Sequence, residues 1–379
     1  MLTYTEEQQM LLDTATEMAE NEFADSAFSW QGERPIENVE LLVDRGFFGI
    51  NFDPEYGGGG MTELEALLLI EAIGRVCPDT ARTIHTQHFV APHSIHRLGT
   101  HEAKQKYLEP LIKDGEFICF AVSESQAGSD VASMETTVEE QDGTLLLNGE
   151  KIWVSGGGES EAAVVWARFP EGLGSVVIDM NAPGVDVFRE DTNMSDHKQA
   201  QIRFENVEVP ESDVLTRGKS EFIDQVKTLN WERISAGAMA NAKALCALDK
   251  ALDYAQQRVQ FDQPISDFQG IEWKLADMAT QIETSRALTH LTTSKGLERD
   301  DMVPDRLHSS MVKLHAAQMV DDVVDQALQI HGANGYEQGH PIEQLYRISR
   351  RWRIAGGTDE IQKNGIASVL KKKGLDAFY

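Results

Sequence analysis

A chain of 379 residues, 41% hydrophobic and 25% charged, can bury a large core and divide into two or three domains. Its formal net charge of -28 argues against nucleic-acid backbones and anionic membranes as partners, and it has no run of about 18 apolar residues to span a bilayer. The N-terminal MLTYTEEQQMLLDTA is acidic and lacks the apolar segment of a signal peptide, and Cys77, Cys119 and Cys246 are scattered, with no metal spacing. These features point to a reducing cytoplasm and no metal site.

In chain order, the stretch to about residue 117 reads as helical. Thr5 and Gln8 fit a capping box, followed by Leu11, Ala15 and Met18 at helical spacing. MTELEALLLIEAIGRV (61–76) is a second amphipathic helix, entered through DPEYGGGG. Those four glycines match no phosphate-binding fingerprint, so the loop reads as flexible or closely packed.

From about 118 to 212 the period falls to two. Asp142-Gly143 and Asn148-Gly149 both signal two-residue hairpins, and AAVVWARF, SVVIDM, GVDVF and QIRFENVEVP continue a series of short strands. A small antiparallel barrel or sandwich is expected. After about 213 the helical period returns: Ile271, Leu275, Met278 and Ile282 share a face, as do Val312, Ala316, Met319, Val323, Ala327 and Ile330, a helix that stops at Gly332. The expected fold is α+β and multidomain: an N-terminal helical domain (1–117), a middle antiparallel β-barrel domain (118–212) and a C-terminal four-helix bundle (213–379).

Four segments carry polar groups that this architecture does not need for stability: FAVSESQAGSD (120–130), KIWVSGGG (151–158), QIHGANGYEQGHP (329–341) and RIAGGTDEIQ (353–362). In the second, Trp153 and Ser155 lie two apart on a strand and so on one face. With these in order the chain resembles the acyl-CoA dehydrogenase family along nearly its whole length. SESQAGSD looks like that family's TEPGAGSD, IWVSGG like W-I-(T/S)-N-G-G, QIHGANGY like its glycine-rich Q…G-Y segment, and AGGTDEIQ like the tail Y-E-G-T-x-E-I-Q.

The resemblance implies noncovalent FAD between the β domain and the C-terminal bundle, a neighbouring subunit in a homotetramer or homodimer, and electron-transferring flavoprotein as acceptor. The hydroxyls of Ser123 and Ser155 would bond the flavin, and Trp153 would pack on its rings. Arg258 would contact the pyrophosphate beside Phe261, although Asp262 replaces the family's Gly there. Gln269, Gln329 and Gly332 would come from the partner subunit. Thr358 and Glu360 would close over the cofactor, and Ser129 would lie on the CoA side of both cofactor and substrate. Each residue has a plainer reading as well: Trp153 as a barrel-core aromatic, Ser155 as a turn residue, Arg258 as a surface partner of Asp253 or Asp262.

The family reaction dehydrogenates an acyl-CoA to the trans-2-enoyl-CoA, taking a proton from the α carbon and a hydride from the β carbon. It needs a carboxylate base and donors for enolate-like charge. Many members carry that Glu immediately before Gly-Thr in the tail; here the position is Gly356. Isovaleryl-CoA and long-chain acyl-CoA dehydrogenases instead use a Glu-Arg pair near a helix start, which Glu232-Arg233 in LNWERISAGA matches. Glu232 is therefore the candidate base, with Arg233, Gly356 and Gly357 on the substrate side and the Gly356 N–H on the thioester carbonyl. The plainer reading makes Glu232 a first-turn acid and Arg233 its structural partner.

Gly356, and Ala355 where many relatives carry Tyr, suggest room for a branched, cyclic or bulky acyl group. Arg350, Arg351 and Arg353 fit acids or phosphates at a subunit interface, the preferred reading, or an anionic acyl group. A reductase, desulfinase or oxidase of the same fold, or a non-catalytic flavin- or CoA-binding subunit, are the alternatives.

Overall fold

In the computed structural model, which describes residues 4–378, Thr5 caps α1 (Glu6–Met18). Its hydroxyl accepts the Gln8 N–H at 3.2 Å while the Gln8 carboxamide accepts the Thr5 N–H at 3.1 Å, the reciprocal box read from the sequence. Leu11, Ala15 and Met18 are buried. Five more helices come next: α2 (Ile36–Asp44), α3 (Glu63–Gly74), α4 (Pro78–Phe89), α5 (Ala91–Leu98) and α6 (His101–Asp114). The glycine run before α3 is closely packed: a Cβ on Gly58 would stand 2.2 Å from the Phe52 carbonyl oxygen.

The strands are β1 (Ile118–Ala121), β2 (Thr137–Gln141), β3 (Thr144–Ser155), β4 (Ala162–Phe169), β5 (Gly172–Asp179), β6 (Val185–Thr192), β7 (Lys198–Val209) and β8 (Val214–Thr216). They form one sheet in the order β6-β7-β3-β2-β4-β5-β8, with β1 also on β4. This corrects the expected antiparallel barrel in two ways. The path ends on β6 and β8 with no closing pair among the described residues, and β1–β4 and β2–β4 are parallel. Two reversals of the chain, one at the β2–β3 hairpin and one between β3 and β4, return β4 in the direction of β2. Val138, Leu147, Val154, Val165, Val176 and Ile202 build the core of the sheet.

Asp142-Gly143 is the two-residue hairpin expected, with φ of 52° and 82°. Asn148-Gly149 is not a hairpin: it lies inside β3, where the register against β7 shifts between Leu147 and Gly149 and Gly149 takes φ 144°. A bulge is what an isolated glycine in a strand interior marks, and the partners that reveal it, Val207 opposite Leu147 and Phe204 opposite Gly149, lie far along the chain on β7.

The C-terminal part holds α7 (Gly218–Gln257), a short hairpin of β9 (Val259–Gln260) and β10 (Gln263–Pro264), α8 (Gln269–Leu297), α9 (Arg306–His331), α10 (Pro341–Arg350) and α11 (Asp359–Lys373). It is therefore three long helices and two short ones instead of four, because the Gly356-Gly357 turn divides the chain beyond α9. The apolar face of α9 is buried from Val312 to Ile330, and Gly332 ends it with φ 58°. On α8, Met278 and Ile282 are buried, whereas Ile271 and Leu275 are half-buried.

The chain forms two compact units: Met1–Trp30, Glu63–Arg82 and Glu232–Tyr379 make one, Gln31–Thr62 and Thr83–Trp231 the other. Among the described residues no helix is long and apolar enough to cross a membrane, and no group of His, Cys, Asp and Glu is placed to hold a metal.

Candidate active site

In the sheet-bearing unit, two of the singled-out segments are pinned together by a buried ion pair. Lys151, on β3, is fully buried, and its Nζ donates to Glu124 Oε1 at 2.8 Å and to the Val122 carbonyl at 3.0 Å. The Glu124 carboxylate also accepts the N–H groups of Glu135 at 2.6 Å and Thr136 at 3.0 Å and the Gln126 amide at 2.7 Å. Burial alone would raise its pKa; these donors and Lys151 hold it down at about 2. One residue on, the Ile152 N–H donates to the Ser123 carbonyl at 2.9 Å.

This clamp sets Ser123 beside Trp153. Trp153 has φ +60° at a second register shift, between Lys151 and Val154, and is 57% exposed. A tryptophan in the left-handed region is strained, and such strain persists only where the surroundings impose it. Ser155 is exposed on the same face and Ser123 is half-buried, while Ser129 is exposed in the loop. Trp153 is not a core aromatic. An open indole with hydroxyls on its face fits a flat, polar-edged ring system.

In the helical unit, the Gly356-Gly357 turn is held from inside. Gly356 and Gly357 have φ +67° and +89°, which a glycine pair adopts without penalty. Lys313, on α9 and 1% exposed, donates to the Gly357 carbonyl at 2.6 Å. Gln362, on α11, donates to the Gly356 and Gly357 carbonyls at 3.2 and 3.0 Å. Thr358 caps α11 by accepting the Ile361 N–H, and buried Asp359 accepts Arg353 at 2.8 Å and Gln318 at 3.2 Å. Both glycine carbonyls are thus occupied, while the Gly356 N–H has no acceptor among the described residues.

Glu232 meets this turn from α7. A Cβ on Gly356 would stand 3.0 Å from Glu232 Oε1. The Glu232 carboxylate forms no ion pair among the described residues. Burial pushes it above the ordinary carboxylate range against the pull of Arg233, Lys313 and Arg351. Nearby charge cannot offset the loss of hydration, which is the signature expected of a poised base. Burial likewise draws Lys313 down to about 8. Arg233, half-buried, succeeds Glu232 on the helix.

Arg258 and Phe261 lie at the β9–β10 hairpin, whose two turn residues, Phe261 and Asp262, have φ +52° and +64°. Asp262 therefore takes the left-handed conformation that the usual glycine would supply. Arg258 is exposed and forms no ion pair with Asp253 or Asp262; Phe261 is 89% exposed. Tyr254 stacks on His331 at 4.5 Å, which brings the end of α7 to the Gly332 end of α9. Gln269, Gln329, Gly332 and Glu360 are all exposed.

The structure therefore gathers Glu232, Gly356, Gly357 and Thr358 in one unit and Ser123, Trp153 and Ser155 in the other. Sequence reasoning missed Glu124, Lys151, Lys313 and Gln362. Gln362 was in view as the last letter of the tail motif, and Lys313 as a lysine within an apolar helical face. The three arginines separate: Arg353 pairs with Asp359 and Asp321, Arg350 and Arg353 line a groove of about 560 Å³ with several aspartates, and Arg351, without an ion pair among the described residues, is drawn down to about 10 by burial and by Arg82 against the pull of Glu232.

Comparison with known proteins gives three matching domain descriptions in order: acyl-CoA dehydrogenase N-terminal domain over residues 5–115, middle domain over 119–207 and C-terminal domain over 222–371. The chain is 34% identical to the acryloyl-CoA reductase (NADH) of Anaerotignum propionicum, over 97% of this chain and 95% of that one. Among solved structures, butyryl-CoA dehydrogenase from Megasphaera elsdenii superposes with a TM-score of 0.91 at 28% identity, covering 98% of this chain and 100% of that one. A chain from a study of the electron transferring flavoprotein of Acidaminococcus fermentans gives 0.90 at 30% identity, covering 98% and 99%.

Proposed function

The chain belongs to the acyl-CoA dehydrogenase family of FAD-dependent oxidoreductases, and on that premise we propose that it oxidises an acyl-CoA to the trans-2-enoyl-CoA with Glu232 as the base. The observation that carries this reading is the 3.0 Å between Glu232 Oε1 and a Cβ at Gly356. The carboxylate stands where a side chain from the tail position would begin, so a base reaching in from α7 serves the same point in space.

FAD, when bound, accepts the hydride from the β carbon. Trp153, Ser123 and Ser155 would hold its ring system, Arg258 and Phe261 its pyrophosphate, and Gln269, Gln329, Gly332, Thr358, Glu360 and Ser129 its remaining contacts. The chain's own work is proton and charge management. The Gly356 N–H donates to the thioester carbonyl, where negative charge grows as the α proton leaves. Glu232 takes that proton, and because its pKa is already raised, the transfer is closer to balance than it would be for a solvated carboxylate. Lys313 and Gln362 keep the turn rigid, so the donor does not reorganise during the step.

Ala355, where many relatives carry Tyr, would leave room for a branched, cyclic or bulky acyl group, while Glu232 fills the space beside Gly356; a strict preference for short straight chains in a substrate panel would overturn that part. Electron-transferring flavoprotein is the proposed acceptor, a homotetramer or homodimer the proposed assembly, and 1–117, 118–212 and 213–379 the proposed domains. A second reading has one observation behind it: a raised pKa also suits Glu232 as a proton donor, which would run the same geometry as an enoyl-CoA reductase. Anaerobic flavin bleaching by saturated acyl-CoAs, against flavin reoxidation by enoyl-CoAs, decides between the directions. Flavin that neither class of thioester touches would sink both.

A further inference from the structure

Asp359 falls at the unspecified position of the tail pattern Y-E-G-T-x-E-I-Q, yet it is only 2% exposed. A carboxylate out of water needs partners to offset its lost hydration. Its Oδ2 accepts the Arg353 Nε–H at 2.8 Å and the Gln318 amide at 3.2 Å, while its Oδ1 is buried with no donor. Arg353 is shared, since a second of its nitrogens lies 3.6 Å from Asp321. One oxygen of Asp359 thus takes no part in anchoring the turn.

Helix α9 grips this turn at two points. Lys313 donates to the Gly357 carbonyl at 2.6 Å, and Gln318, on the same helix, donates to Asp359 just beyond it. The bond to Gly357 is the only one the Lys313 ammonium makes among the described residues, and the side chain is buried. Burial draws Lys313 down to about 8, and four charged groups act on it from the elements packed around it. Asp359 on α11 and Glu232 on α7 favour the ammonium; Arg233 on α7 and Arg353 after α10 oppose it.

The proposed reaction changes this balance. Glu232 becomes neutral when it takes the α proton, and of the two carboxylates that favour the Lys313 ammonium only Asp359 then keeps its charge. Two guanidiniums and burial oppose the ammonium at that moment. A lysine that lost its proton there would hold the Gly357 carbonyl less strongly, because a charged donor makes the stronger hydrogen bond. The turn would loosen just as negative charge grows on the thioester carbonyl.

We infer that Asp359 is a positioning residue for the reaction: it holds the Lys313 ammonium on the Gly357 carbonyl through proton transfer and so keeps the Gly356 N–H aimed. Its own bonds go to Arg353 and Gln318, so it acts on the chemistry through Lys313. This inference rests on the reading of Glu232 as base and the Gly356 N–H as donor, and it deepens that reading.

The test is the alkaline limb of the rate profile of the purified holoenzyme, read as anaerobic flavin reduction by acyl-CoAs, beside urea denaturation over the same pH range. In the wild type the rate should fall to a lower plateau as Lys313 loses its proton near about 8. Asp359→Asn keeps an acceptor oxygen for Arg353 and Gln318 but removes the charge, and should move that fall about one unit lower. Arg353→Gln removes an opposing cation and should move it higher, which damage to packing would not do. In a Lys313→Met background neither substitution should move the limb. Stability reports the same coupling without turnover. A lysine whose folded pKa lies below its unfolded value of about 10.4 adds stability as pH climbs through the folded value. That rise should begin at lower pH in Asp359→Asn, and Lys313→Met should lack its contribution.

A limb and a stability rise that Asp359→Asn leaves in place, beside normal turnover, would overturn the inference and leave the acyl-CoA reading standing. So would shifts that persist in the Lys313→Met background. If Asp359→Asn does not fold, Arg353→Gln decides, and the absence of an upward shift counts against the inference. If no acyl-CoA reduces the flavin, the acyl-CoA reading falls and the positioning role with it.

Discussion

Glu124 and Glu232 are both acids drawn out of water beside a segment read as functional, and their surroundings differ in one respect. Glu124 meets four donors, one of them a buried ammonium, and its pKa falls to about 2. Glu232 meets cations at a distance and no ion pair, and its pKa rises. Burial is common to the two; donor count decides the sign. The first arrangement fixes a loop against a strand. The second, on the proposed reading, keeps a carboxylate available for a proton at a cost in stability.

The comparison is broken most sharply at Glu232. Glu232→Gln should lower turnover by about two to four orders of magnitude while FAD stays bound, measured by anaerobic stopped-flow flavin reduction. The same variant should be more stable than wild type at neutral pH, by about 0.5–2 kcal/mol in a urea titration. An acid whose folded pKa is raised loses stability as pH climbs past its unfolded pKa, and the amide carries no such charge. A variant that is inactive and also less stable would show that Glu232 holds structure, as Glu124 does.

The next largest effect is expected at the clamp. Lys151→Met leaves Glu124 buried without its ammonium and should cost about 3–5 kcal/mol of stability. Turnover per FAD-loaded molecule should change far less than in Glu232→Gln. Because Glu124 has a depressed folded pKa, its contribution is complete above the ordinary carboxylate value of about 4.3. It is lost as pH falls toward about 2. A wild-type denaturation series from pH 6 to pH 2 should show this loss, and Glu124→Gln should flatten it.

Lys313 joins the two behaviours, since it is a satisfied donor to Gly357 and a charge near Glu232. Lys313→Met should cut turnover about tenfold by loosening the turn. It should also move the acid limb of the rate profile to higher pH, because a cation that lowers the Glu232 pKa is gone. Lys313→Arg should restore the limb. An unshifted limb with a lowered rate would confine Lys313 to packing.

Range along the chain decides how much of this was legible. The Thr5 box, the Asp142-Gly143 hairpin, the α9 face and the Gly332 stop depend on residues within a turn or a helix of one another, and the sequence displays them. The Asn148-Gly149 bulge depends on β7, and the open, partly parallel sheet depends on eight strands at once. Glu124 finds Lys151 27 residues away, and Lys313 finds Gly357 44 residues away. A composition pattern carries none of these pairings. The shift of interest from Gly356 to Glu232 was readable, because a missing side chain at an expected position is itself local; that Glu232 Oε1 falls 3.0 Å from the Gly356 Cβ position needed the fold.

Asp262 is the third acid, exposed and without an ion pair, and should give the smallest effect. It sits at φ +64° in the β9–β10 turn beside Phe261 at +52°, a conformation that aspartate tolerates better than most residues. Asp262→Gly removes the strain of a side chain at positive φ but returns conformational freedom to the unfolded chain. The two terms oppose each other, so stability should change by less than about 1 kcal/mol and FAD affinity by less than about threefold. With neither burial nor donors acting on it, Asp262 has no reason to resemble Glu124 or Glu232. A large loss of FAD affinity in Asp262→Gly would mean that the turn works through the aspartate side chain and not through its backbone shape.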